Sequence, residues 1–67
     1  MKGWEIELAK LQARVAVVLI GVEGMKADNQ IRVAEGHVPL YGGRDFGAEV
    51  EKIEDLVREM ARIEVDQ

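Results

Sequence analysis

Six side chains within nineteen residues make the strongest case for chemistry in this chain: Lys26, Asn29, Arg32, His37, Tyr41 and Arg44. Lys26, Asn29 and Arg32 follow one another at three-residue steps, which on a helix makes them surface neighbours. Tyr41 and Arg44 come after Gly36 and Pro39, beside Gly42 and Gly43, so a turn would bring them back toward that helix. The combination suits an anion. A guanidinium grips phosphate through two parallel hydrogen bonds, a tyrosine ring stacks on a base, and glycine lets backbone N–H groups come close. The expected ligand is a small anion, above all a cyclic or linear nucleotide. The same residues also admit a purely structural reading, in which Asn29 and Arg32 set helix register and partner number and Asp28 pairs with Arg32 four residues on.

Other chemistry is thinly provided for. The sequence contains no serine, threonine or cysteine, and His37 is its single histidine, so neither a hydroxyl nor a thiol nucleophile of those types is present. A lone turn histidine reads as polar surface. Glu51 and Glu54 resemble half of the E-x-x-E metal motif of the all-helical nucleotide pyrophosphatases, but the E-x-x-D half is missing. The expectation is a protein that is not an enzyme, with no metal and no cofactor, and with Glu51 and Glu54 on a solvated charged face.

The elements that position these residues are helical. Trp4, Leu8, Leu11, Val15, Val18, Val22 and Met25 alternate spacings of four and three, a seam that continues in phase through Asn29 and Arg32. Residues 15–22, rich in Val and Ile and followed by glycines, also fit a buried strand. Helix prevails because the spacing begins in the Ala, Leu, Lys, Gln and Glu of the leading segment and crosses the valine run unchanged. Gly36, with Pro39 beyond it, predicts the end of a helix over 3–35. A turn-rich connection over 36–45 follows. Asp45 is placed as N-cap of a second helix over 46–64, with Phe46, Val50, Ile53, Val57 and Met60 as its seam, flanked by Leu56 and Ile63. The fold class is all-α: one helical-hairpin domain over 1–67, with unequal arms.

One hairpin does not cover this much apolar surface. Residues 15–22 are apolar or glycine on every side, and a second helix covers only part of the circumference. Leaving Val, Ile and Leu in water forgoes roughly 1.5–3 kcal/mol each, a large share of a small domain's stability. The expectation is a homo-oligomer, a dimer or higher, whose interface includes Trp4, Leu8, Leu11, Val15, Val18, Leu19, Val22 and Met25. The net charge of −4 is uneven: residues 34–67 hold nine Asp/Glu against four Lys/Arg, which argues against DNA or RNA as a partner. The apolar run is too short for a bilayer span and is flanked by Glu5, Glu7 and Glu23, the wrong chemistry for a secretion leader. A cytoplasmic protein with no membrane partner is expected.

The segment Gly24-Met25-Lys26-Ala27-Asp28-Asn29-Gln30-Ile31-Arg32, followed by Gly36, Tyr41 and Phe46, resembles a stretch of small phage and prophage proteins. The resemblance covers about a third of the chain. It implies an accessory role against host defence, in the host cytoplasm, by analogy with oligomeric helical proteins that sequester cyclic-nucleotide alarm signals. The alternative is a protein–protein interaction module or inhibitor that engages a host protein through the acidic second helix, with no small-molecule site.

Overall fold

The computed structural model describes residues 2–65; Met1 and residues 66–67 of the expected domain lie outside the described residues. The chain is a two-helix hairpin, α1 over Gly3–Ala34 and α2 over Gly43–Val65. The 32 residues of α1 span about 48 Å at 1.5 Å per residue, which accounts for most of the 53 Å long axis. The valine-rich run is helical throughout, and among the described residues there is no strand.

Gly36 ends α1. Its φ of +83° is the left-handed conformation that an L side chain adopts only with strain. That turn lets the Gly36 N–H donate to the Val33 carbonyl at 3.0 Å and the His37 N–H donate to the Arg32 carbonyl at 2.8 Å, which satisfies two carbonyls of the last turn.

The start of α2 differs from expectation. The helix begins at Gly43, and the Gly42 carbonyl accepts from the Asp45 and Phe46 N–H groups at 3.0 and 3.1 Å. Gly42 therefore occupies the N-cap position, while Asp45, inside the first turn, reaches back to accept the Gly42 N–H at 2.9 Å through Oδ2. Glycine tolerates the non-helical backbone of an N-cap, and the carboxylate supplies the missing acceptor from within, next to the positive end of the helix.

The two helices pack along the expected seam of α1. From Leu8 to Arg32 the residues withdrawn from solvent are Leu8, Leu11, Val15, Val18, Val22, Met25, Asn29 and Arg32, with Leu11 deepest at 4% exposed. On α2 the phase is rotated from the expected one: Phe46, Glu49, Ile53, Leu56, Met60 and Ile63 are half-buried, whereas Val50 and Val57 are 51% and 50% exposed. The two phases share Phe46, Ile53 and Met60, so the choice lies between the edges of one broad stripe. The edge carrying Leu56 and Ile63 turns inward. It takes the Glu49 stem with it, while the Glu49 carboxylate meets Lys52 at 3.0 Å.

The result is a slab two helices wide, with Cα extents of 53 × 21 × 8 Å. Its radius of gyration is 16.0 Å, against ~11 Å for a compact domain of this length. Two kinds of glycine follow from this geometry. Gly36→Ala should lower stability in urea by about 1 kcal/mol because of the left-handed φ. Gly21 is helical with open space where a Cβ would stand, so Gly21→Ala should raise stability by up to about 1 kcal/mol in the same measurement. Leu11→Ala should lower it by about 2 kcal/mol or more.

Candidate functional site

The polar end of the hairpin is built by the last turns of α1, the connection over 35–42 and the first turn of α2. Asn29 is its centre. Its Nδ2 donates to the Tyr41 carbonyl and its Oδ1 accepts the Tyr41 N–H, both at 2.9 Å, so one side-chain amide pairs with a backbone as a neighbouring strand would. One turn along, the Arg32 Nε donates to the Val38 carbonyl at 3.0 Å. The two side chains hold the connection against α1 at both of its ends.

The six candidate ligand residues are thus divided. Asn29, Arg32 and Tyr41 are brought together and half-buried; Lys26, His37 and Arg44 are exposed. Lys26 pairs with Glu23 at 3.2 Å, not with the loop. Asp28 and Arg32 form no ion pair among the described residues; Arg32 is held by the Val38 carbonyl instead. The residues of the Gly24–Arg32 segment, with Gly36, Tyr41 and Phe46, have places in this closure. Met25 continues the seam, Asn29 and Arg32 fasten the loop, Gly36 ends α1, Tyr41 receives the clamp, and Phe46 starts the α2 stripe.

Charges along α2 meet one another at three-residue steps: Glu49, at the inward edge, with Lys52, and on the outer surface Asp55 with Arg58 and Glu59 with Arg62 at 3.9 Å. Among the described residues no group of three or more His, Cys, Asp or Glu is placed to hold a metal ion.

The expected interface residues divide as well. The seam residues from Leu8 to Met25 face α2 within the single chain, while Leu19, beside them, is 50% exposed. On the far side of α1 lies a surface that the spacing of the first seam conceals: Ala13, Val17, Ile20, Gly24, Ala27, Ile31 and Ala34, again at alternating steps of four and three, with Ile6 in phase before them. Val17, Ile20 and Ile31 are 68%, 71% and 56% exposed. The signal that reveals this second seam is the same period shifted by two residues. It is faint because half of its members are alanine or glycine. Along one face of the hairpin, between the two helices, runs an open groove of about 560 Å³, lined by Val17, Val18 and Leu56 with Arg14, Lys52, Asp55 and Glu59 at its rim.

Among the described residues no helix is long and apolar enough to cross a membrane. Comparison with family models, with curated proteins and with solved structures gives no match, so a functional reading rests on the chain's own geometry.

The clamp has a direct test. Asn29→Ala removes two hydrogen bonds to the Tyr41 backbone and should lower stability by about 1–2 kcal/mol, with faster hydrogen exchange at the Tyr41 amide. His37→Ala and Arg44→Ala, at exposed positions, should change stability by no more than about 0.5 kcal/mol.

Proposed function

We propose that this chain is an assembly module: a two-helix hairpin that works by protein contact along the uncovered side of α1, with copies of itself as the first partner. The exposure of Val17 and Ile20 on a helix whose opposite face already lies on α2 carries this reading. The total surface points the same way. A folded monomer of 7.5 kDa is expected to expose about 4,250 Å². This chain exposes 5160 Å². A surplus of that kind belongs to a subunit, because apolar area left in water forgoes roughly 25 cal/mol per Å².

The contact is assigned to α1 rather than to the acidic outer face of α2. On that face Asp55 and Glu59 have basic neighbours on their own helix, Glu51 and Glu54 are exposed, and solvated charges of this kind contribute little to binding. A nucleotide at the polar end is the second reading. It is favoured by Arg32, whose guanidinium is fixed through Nε at the mouth of the connection, within a few residues of the exposed His37 and Arg44. Against it, both ends of the Asn29 amide are engaged by Tyr41, so a ligand would have to compete with the clamp. The host-directed, anti-defence role is compatible with either reading.

Light scattering on the purified chain at micromolar concentration should give a multiple of 7.5 kDa, and Ile20→Glu should reduce the mass toward that of one chain while helical circular dichroism persists. A well-folded monomer would contradict the assembly reading. Thermal-shift titration with cyclic and linear nucleotides should be flat; a saturable shift abolished by Arg32→Ala would install the nucleotide reading in its place.

A further inference from the structure

Resting on the assembly reading, we propose that α1 pairs with α1 of a second copy in antiparallel orientation along the outer seam, Ile20 seated on the partner's Gly24 and Val17 on the partner's Ala27.

Residue size sets the orientation. In a parallel pair every residue meets its own copy, so Lys10 faces the partner's Lys10 while Gly24 meets the partner's Gly24 and leaves a void. Reversing one helix about a twofold axis near Val22 sets a large residue against a small one in successive layers. Ile20 meets the partner's Gly24, Val17 the partner's Ala27, and Ile31 the partner's Ala13. Facing layers that alternate large and small keep the two backbones at one close distance. Gly24 is explained by this arrangement. Within one chain a Cβ at Gly24 would meet nothing within 4 Å, so the hairpin itself gains nothing from a residue that weakens a helix.

Charge supports the same register. On one flank Arg14 lies two residues, about 3 Å along the axis, from level with the partner's Asp28 and within a guanidinium's reach of it, and Lys10 lies between Glu7 and the partner's Glu35; symmetry repeats both contacts. Among the described residues Lys10, Arg14, Asp28 and Glu35 enter no ion pair of their own chain, so their charges are open to a partner. On the other flank Glu23 approaches the partner's Glu23 near the axis, its charge offset by Lys26 at 3.2 Å. The flat hairpin exposes about 900 Å² more than a compact monomer of its mass, so area is available for one partner's ~800 Å² share of a standard interface.

Charge reversal distinguishes a second copy from any other occupant. Arg14→Glu sets two carboxylates face to face at the contact with the partner's Asp28, and Asp28→Arg sets two guanidinium groups face to face there. Each variant alone should therefore associate roughly tenfold more weakly than the unaltered chain. In the R14E homodimer both flanking pairs are acid on acid and in the D28R homodimer both are base on base, whereas the mixed dimer of an equimolar mixture has opposite charges at both, one pair reversed and the other as in the unaltered protein. It should regain the mass of the unaltered protein. Gly24→Leu should abolish pairing while helical circular dichroism is retained or increased. A mixture no better associated than its components, or a Gly24→Leu variant that still dimerises, would overturn this interface. If the unaltered chain nonetheless has a multiple mass, the assembly reading stands and the contact lies elsewhere, with the exposed Leu19, Val50 and Val57 next in line. A monomeric unaltered chain would overturn both.

Discussion

A helix that is apolar around its whole girth needs more than one neighbour, and that constraint organises the rest of this molecule. Residues 15–22 of α1 offer Val15, Val18 and Val22 to one side and Val17 and Ile20 to the other. α2 reaches only the first side. The hairpin therefore closes on itself along one seam and remains open along the next, which explains both its flatness and the near absence of fully buried side chains among the described residues. A chain of this length buries a smaller share of its surface than a larger domain does, and it has no cysteine with which to make a disulfide. In the proposed assembly a second copy supplies the missing layer.

Closure of the hairpin is a polar task. Where the chain reverses, between residues 29 and 45, four devices act together: the Asn29 amide on the Tyr41 backbone, the Arg32 Nε on the Val38 carbonyl, the left-handed Gly36, and the Asp45 carboxylate on the Gly42 N–H. Each satisfies backbone groups that a helix end or turn leaves without partners. Together they hold α2 in a fixed register on α1 even though the apolar contact between them is modest. A hairpin closed in this way would present the outer seam of α1 as a preformed surface, and such a surface loses less conformational freedom on pairing than a mobile one.

Much of this was legible in the sequence. The α1 seam could be read because Trp4, Leu8, Leu11, Val15, Val18, Val22 and Met25 are large and hold one period, and Gly36 marked the helix end because few residues other than glycine adopt its backbone conformation. The start of α2 was harder to place. Gly42 and Gly43 read as turn residues, yet one serves as the cap and the other as the first helical residue, with Asp45 acting from inside. The inward edge of α2 was not legible either, since Val50 and Val57 fit the period as well as Leu56 and Ile63 and only packing against α1 decides between them. The outer seam was hidden because alanine and glycine carry little hydrophobic signal despite allowing the closest approach of two helices. The candidate site showed the same ambiguity. Asn, Arg and Tyr suit a ligand and a loop clamp equally, and the distances give Asn29 and Arg32 to the clamp.

If one hairpin is half of the folded assembly, as proposed, its thermal unfolding depends on protein concentration. When folding and association are coupled, mass action raises the unfolding midpoint with concentration. The midpoint of the unaltered chain should therefore climb steadily from micromolar to submillimolar concentration. A sharp, cooperative transition at one temperature across that range would contradict the account.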